Sequence, residues 1–516
     1  MKAAKRITAL FLCAVTIFSL FGCKAKEQVL DTIAEINRTE PDPGIDEISF
    51  YLPYLRSDSV NPYEAENEMN LNLATLMYDS LFTVSDSFKV SPLMAESYTA
   101  DGDKITVKLK NVKFSDSTDV TASDVVYSFV SAKRSGWYSQ YLKNLSDASA
   151  ADEMTVVFTL RNENPFEVSN LVFPIIKSDR DDDSQTENKS GLPVGSGRYV
   201  FTDDGEKKYL AVNKQRLGGY HPKYNNIGLK DISEISSVPT LFSLGQIDCY
   251  TETFSDGQLK KITGNTSKIN TTKFTYLGVN SSRRRLSDSR VRRSIALLLD
   301  REDIARVAYN GYGIAAATPF SANFYALEGC TIPSLRQNKA AAIELLEEAG
   351  YRNVSRLGIR YGNDTSLEMS LIVNKDNEFR LAMARSIQQA LSKANIKVNI
   401  SELSYNSYVY AVEDGNFDLY IGETMLPNSM DLSPFFNVDG ALSYGIGEEC
   451  DSIQAYNRFE TGKCTMQEFL DVFCGELPFI PVAYRQGAAV RSDRIKTSAR
   501  TTIGEWFLNI DEWTAE

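Results

Sequence analysis

The chain has 516 residues, with 55 Lys and Arg against 68 Asp and Glu, a single histidine and a formal net charge of −13. That length exceeds what one hydrophobic core serves, so two or three domains are expected. The acidity argues against nucleic acid, whose binding rests on phosphate neutralisation, and His221 alone, with no CxxC pair, argues against a metal centre.

In chain order, Lys2, Lys5 and Arg6 precede an uncharged apolar run from Ile7 to Phe21. The run is shorter than the roughly 20 residues that span a bilayer, which marks a secretory signal over residues 1–22. Leu20-Phe21-Gly22-Cys23 resembles the bacterial lipobox, with Cys23 the lipidated residue and Phe21 bulkier than that position usually carries. Cleavage there leaves 494 residues with net charge −16, because Lys2, Lys5 and Arg6 depart. Acyl chains on Cys23 contribute about 0.8 kcal/mol per buried methylene. Localisation is therefore expected to be extracytoplasmic, held to the cell membrane by lipid. Residues 23–44 are polar, end in "EPDPG" and read as a tether.

The folded body alternates strands and helices. "KITVKLKNVKF" sets Ile105, Val107 and Leu109 against Lys104, Lys108 and Lys110, and "EMTVVFTL" repeats the alternation from Met154 to Leu160. Between them, Thr121 and Asp124 form a capping-box pair at the head of a helix that Gly136 ends. Ser287 or Asp288, then Asp300, then Asn338 open three further helices, and Gly350 stops the last. "FRLAMARSIQQALSKANIKVNI" reads as helix into strand, "FDLYIG" as a strand, and Arg180 to Gly191 as a solvated loop. Beyond Cys23 lie Cys249, Cys330, Cys450, Cys464 and Cys474, an odd set at irregular spacing that is no disulfide framework, although Cys464 and Cys474 are near enough in sequence to pair.

Catalytic patterns are sparse. No GxSxG elbow, HExxH or SxxK arrangement assembles with its partners, and "GLPVGSGRY" lacks the Lys-Ser/Thr of a phosphate loop. A glycosidase-like carboxylate pair is compatible with so many acids. The residues by themselves leave open a binding protein or an exported hydrolase.

The landmarks from Ile48 to Arg494 resemble the extracytoplasmic solute-binding proteins of family 5, the peptide, oligopeptide and nickel group serving ABC importers. "SPLMAESYTADGDKITVKLKNVKFSDSTDVTASDVVYSF" is similar to the family signature containing "KFSDGTPLTAEDVVFSF". "PVGSGRYVF" is similar to "PVGTGPYKF", and "SLGQIDCY", Tyr276 to Gly313 and "LPFIPVAYRQ" follow in the family order. The resemblance implies two α/β lobes of the periplasmic-binding-protein type II kind, with an extra subdomain in the first and two crossing hinge strands near Phe274–Asn280 and Pro478–Tyr484. It places lobe I at 45–275 with its subdomain at about 63–190, lobe II at 276–480, and a return to lobe I at 481–516. It makes Asp116, Asp124 and Tyr127 scaffold, and assigns the glycines of "GSGRY" to a tight turn.

It further implies a non-enzymatic, monomeric receptor without cofactor or metal, which takes a small solute or peptide between its lobes and hands it to a membrane permease with its ATPase. A ligand sensor or adhesion lipoprotein of the same fold is the alternative, an exported hydrolase a more distant one. Peptide binders of the family pair the ligand ammonium with an acid in a "GW.ADY.DP" stretch; here "DLYIGETMLPNSMDLSPFF" offers Glu423 and Asp431, the latter equally suited to capping the turn before "SPFF". Asn61 and Tyr63 follow the first strand; Trp137, Tyr138 and Tyr141 are aromatics able to cover a ligand. Tyr444 falls in a segment bordering the family cleft. Arg283, Arg284 and Arg285 suit a carboxylate or a solvated turn.

Overall fold

The structure, a computed structural model, describes residues 48–515 apart from 179–186, 188–189, 217–218, 221, 259, 363–364, 438–439 and 503–504. The signal, Cys23, the tether, His221 and most of the 180–191 loop therefore lie outside the described residues. The chain forms the expected mixed α/β fold of two lobes, and no helix among the described residues is long and apolar enough to cross a membrane.

In the first lobe, strands Tyr51–Leu55, Asn226–Ile232, Lys208–Val212 and Tyr199–Asp203 lie side by side in that order, the first pair parallel and the rest antiparallel. Helix Glu68–Met77 covers the sheet with Leu73, Ala74, Leu76 and Met77 buried, and its N-cap Asn67 accepts the Met69 and Asn70 N–H groups. The chain's end returns here: Trp513 is fully buried beside Phe50 and Phe507.

The subdomain is a four-stranded antiparallel sheet, Ala95–Asp101, Lys104–Leu109, Thr155–Leu160 and Leu145–Asp152. Ile105, Val107, Leu109, Val156, Phe158 and Leu160 point into its core, as the alternation predicts. Phe129 and Ala132 of helix Ala122–Arg134 pack in the same core. Asp124 accepts the Thr121 N–H at 2.7 Å through one oxygen and the Ser178 N–H and Oγ at 2.9 and 2.7 Å through the other. Asp116 pairs at 2.7 Å with Lys177, whose side chain is fully buried, while Tyr127 is exposed. For Asp116 and Asp124 these are scaffold contacts.

Gly195 and Gly197 differ from expectation in their physical reason. Neither is among the residues with positive φ; both lie against the chain at Met77–Tyr78, where a Cβ would meet the Met77 O at 2.4 Å or the Met77 C at 2.3 Å. Close backbone approach, with the Gly197 N–H donating to the Met77 O at 2.9 Å, requires them.

The largest sheet runs Cys249–Glu252, Phe479–Arg491, Asn265–Val279, Leu419–Met425, Glu368–Asn374 and Lys397–Leu403, with Gly313–Ala315 on Phe479–Arg491. Its two long strands are antiparallel from Asn265 opposite Arg491 to Gly278 opposite Phe479, with a break in register between Asn270 and Phe274. One end of the pair carries Cys249–Glu252, the other Leu419–Met425 and the second lobe. The crossing strands thus extend well beyond the short segments expected. Helices Ser289–Leu298, Arg301–Ala308 and Lys339–Glu348 start at Asp288, Asp300 and Asn338, each accepting a backbone N–H of the first turn. The described cysteines, Cys249, Cys330, Cys450, Cys464 and Cys474, are all free thiols.

Candidate functional site

Helix Glu68–Met77 and the break in the long strand pair face each other across a cavity of about 490 Å3. Glu68, Leu71, Asn72 and Thr75 share one helical face, spaced three or four residues apart, and Tyr78 and Asp79 continue that wall past the helix end. Opposite, the register break between Asn270 and Phe274 brings Asn270, Thr271, Thr272 and Lys273 to the cavity wall, beside Met425 and Asn428. Trp137, Tyr138 and Tyr141, just beyond helix Ala122–Arg134, supply an aromatic side. Arg198, Arg216, Tyr220, Glu505, Trp506 and Asp511 close the first-lobe end. The walls thus combine ring faces for apolar or cationic groups with ion pairs for charged ends.

Those pairs are Lys273 with Glu68 at 3.4 Å, Arg216 with Asp79 at 3.1 Å, and Arg198 with Glu505. Burial raises the Asp79 carboxyl to about 6, against the pull of Arg216 and Arg198. Burial lowers the Lys273 ammonium, only partly offset by Glu68.

Of the residues singled out from the sequence, Trp137, Tyr138 and Tyr141 line the cavity. Tyr63 stands behind them: its hydroxyl donates to the Pro174 O and its ring meets that of Tyr138 edge-on at 5.7 Å. Asn61 is outside the lining and holds a turn, its side chain accepting the Tyr63 N–H at 3.0 Å. Glu423 lies behind the Lys273–Met425 wall, with Arg485 at 3.4 Å and Arg380 at 3.8 Å. Burial pushes its carboxyl up, but Arg485, Arg380 and Lys273 outweigh burial and lower it. Asp431 accepts the Ser433 N–H and Oγ, each at 2.7 Å, and the Tyr456 hydroxyl at 2.9 Å, so it caps the turn into "SPFF". Tyr444 is half-buried near Ser281, whose N–H donates to the Gly445 O, and does not line the cavity. Arg283 donates to the carbonyls of Phe417 and Gly415, and Arg285 to that of Glu368, which ties a turn together away from the cavity. Asp79, Arg198, Arg216, Tyr220, Lys273, Glu505 and Trp506 were not singled out. They come from segments far apart in sequence, and only Arg198, inside "GSGRY", sat in a recognisable motif.

A second contact joins the lobes, and two of its residues, Asn170 and Asn428, also line the cavity. Asn170 donates to the Ser429 Oγ at 3.0 Å, Asn428 donates to the Ser169 O at 3.1 Å, and Phe166 packs on Phe324 and Phe459 with centroids 5.1 and 5.9 Å away. Glu167, fully buried here, is raised to about 7 by burial, with Asp431 adding to the effect against hydrogen bonds from Asn170 and Asn144. Glu460 is raised to about 8 by burial and by Asp431.

The model of bacterial extracellular solute-binding proteins, family 5 Middle, matches residues 89–441. The oligopeptide-binding protein AppA of Bacillus subtilis (strain 168) is 22% identical over 384 residues, 69% of each chain. The glutathione-binding protein GsiB of Pectobacterium atrosepticum is 24% identical over 372 residues, again 69% of each. The crystal structure of a nickel ABC transporter from Bacillus halodurans shares the fold with a TM-score of 0.72 at 20% identity, covering 90% of this chain and 99% of that one. With a two-lobed fold, a cavity between the lobes and a family match over most of the chain, the protein belongs to the bacterial extracellular solute-binding proteins of family 5.

Proposed function

We propose that this protein is the membrane-anchored, extracytoplasmic substrate-binding component of an ABC importer, which captures a peptide or similar small solute between its lobes and delivers it to the permease. The observation that carries the reading is the cavity itself: one wall comes from helix Glu68–Met77 and the other from the strand pair that leads into the second lobe. On this reading residues 45–275, with the subdomain at about 63–190, form the first lobe and 276–480 the second. Residues 481–516 return to the first, and the long strands serve as hinge.

A ligand touching both walls favours the closed form through contacts that the open form lacks. Micromolar binding corresponds to about −8 kcal/mol, what remains after the hinge, ordering and desolvation costs are met. Lipid on Cys23 confines the closed, loaded form to the membrane plane and raises its effective concentration at the permease. Peptide is favoured among solutes because the cavity joins aromatic faces to ion pairs of both signs, and because relatives include oligopeptide- and glutathione-binding proteins.

Native mass spectrometry of the freshly purified protein tests the assignment, expecting a co-purified mass that exchanges for short peptides. Thermal shift and small-angle scattering against a peptide library are expected to show stabilisation and compaction together. Absence of both for every short peptide removes the peptide assignment. Mass spectrometry of the fragment starting at Cys23 tests the anchor, and an unmodified thiol there rejects it.

A further inference from the structure

Where the subdomain meets the second lobe, carboxyl groups from both sides converge. Glu167, in the short helix Glu167–Asn170, is fully buried on the first-lobe side. Facing it from the second lobe are Asp431 and, at the end of helix Asp451–Glu460, Glu460. The charge acting on Glu167 is that of Asp431, and the leading charges on Glu460 are those of Asp431 and Glu167, all negative. Arg458, on the helix of Glu460, is exposed and donates to the Lys463 O at 3.3 Å. The neutral groups that face the acids are Asn170 and Asn144 on Glu167, Ser433 on Asp431, and the Tyr456 hydroxyl, which donates to Asp431 at 2.9 Å and also meets Glu460. Among the described residues no group of acids is arranged to hold a metal ion that would neutralise them.

Protons settle the balance. Glu460 hydrogen-bonds with Asp431, and two carboxyl groups make that bond only when one of them is protonated. Both lie on the second lobe, so parting the lobes relieves them of burial and of Glu167 but not of each other. Glu167 is different, because its burial and its charged neighbours come from the contact itself. Burial, with Asp431, raises it from 4.5 to about 7. A carboxyl raised by a contact stabilises that contact fully below its ordinary value, and the stabilisation is lost as pH rises through the raised one. Each pH unit from 4.5 to 7 therefore multiplies the open-to-closed ratio by up to ten, a total on the order of 300-fold. Glu460, raised to about 8 by burial and Asp431, adds a second facing charge above that range. Against this act the Asn170–Ser429 and Asn428–Ser169 hydrogen bonds and the packing of Phe88 and Phe166 on Phe324.

We propose that this contact is a proton-dependent latch between the lobes: with Glu167 protonated the faces hold, and with Glu167 ionised opposite the Asp431–Glu460 pair they part. Asn170 and Asn428 belong both to the contact and to the cavity wall, so parting the faces opens that side of the cavity. Mildly acidic pH then favours the closed form and pH above neutrality the open one, through a group that lies outside the cavity lining. The latch acts whichever solute the cavity takes, and its test needs no ligand.

Amide exchange and small-angle scattering of the ligand-free protein between pH 5 and pH 9 test it. The Ser429 N–H, which donates to the Asn170 Oδ1 across the contact at 3.3 Å, reports the latch directly. Once the intrinsic rise of exchange with pH is divided out, its protection is expected to fall by at least about tenfold, with the change complete by about pH 8. The radius of gyration rises over the same range while circular dichroism stays constant. In Glu167→Gln, which holds no charge at any pH, the protection changes by less than about threefold and the radius does not grow. Constant protection in the unaltered protein overturns the latch, as does a loss that Glu167→Gln repeats in full. Expansion accompanied by lost secondary structure is unfolding, and overturns it too. If Glu167→Gln does not fold, Glu460→Gln decides: it removes one of the two facing charges and should shrink the loss of protection, and an unchanged profile overturns the proposal.

Discussion

Glu167→Gln is expected to change the sign of its effect on stability with pH. Glu167 is fully buried where the subdomain meets the second lobe, and its carboxyl is raised from 4.5 to about 7 by burial and by Asp431. An upward shift means that the native state keeps a proton the unfolded chain has released, so the contribution to stability is fully present below about pH 4.5 and is lost as pH rises through about 7. Above both values that loss amounts to about 3 kcal/mol, at about 1.4 kcal/mol per unit. Glutamine carries no charge to desolvate and escapes it. It keeps only one acceptor oxygen, however, and Glu167 now accepts from both Asn170 at 2.9 Å and Asn144 at 3.2 Å. The mismatched amide costs about 1 kcal/mol at every pH. The variant should therefore be about 1 kcal/mol less stable than the parent at pH 4 and about 2 kcal/mol more stable at pH 8. Urea denaturation followed by tryptophan fluorescence at pH 4, 6 and 8 measures the difference. A mutational effect that varies by less than about 1 kcal/mol across that range refutes the electrostatic account of this contact.

Other perturbations give separate readings. Gly197→Ala drives a methyl into the Met77–Tyr78 backbone, with contacts of 2.3 and 2.5 Å, and should cost about 3 kcal/mol in thermal or urea denaturation; an unchanged midpoint would reject the close-approach explanation. Asp124→Ala removes the acceptors for the Thr121 and Ser178 N–H groups and is expected to lose about 2–3 kcal/mol by the same measurement. Phe166→Ala empties the contact with Phe324 and Phe459, costs about 3 kcal/mol and enlarges the ligand-free radius of gyration in scattering as the lobes separate. Trp137→Ala takes one aromatic wall from the cavity; peptide affinity should fall by about tenfold, with a melting temperature close to the parent's.

Where the signal is local, the sequence was a sufficient guide. Asp288, Asp300 and Asn338 open helices because a short polar side chain satisfies the first free N–H groups wherever the helix later packs. Ile105, Val107 and Leu109 settle the inward face of their strand because strand side chains alternate sides with a period of two. For Asp431 the turn-capping role, open on sequence grounds, is the one its hydrogen bonds to Ser433 describe. Gly195 and Gly197 show the limit of local reasoning. Their identity suited a turn, but the constraint is a neighbour more than a hundred residues away, at Met77–Tyr78.

The cavity follows the same division. Trp137 and Tyr138 were legible as aromatics next to a predicted helix end, whereas Glu423 was legible only as a candidate partner for a ligand ammonium, because its counter-charges, Arg380 and Arg485, lie 43 and 62 residues away in the chain and reach it only through the fold. Periodicity, capping residues and the order of motifs along the chain determined the secondary structure, the two-lobed class and the family, since each depends on neighbours within a few residues or on linear order. Which charges neutralise one another and which residues meet around the cavity were decided only by tertiary structure. Coulomb interaction and desolvation depend on distance through space and on the dielectric around each group, and neither is a function of position along the chain.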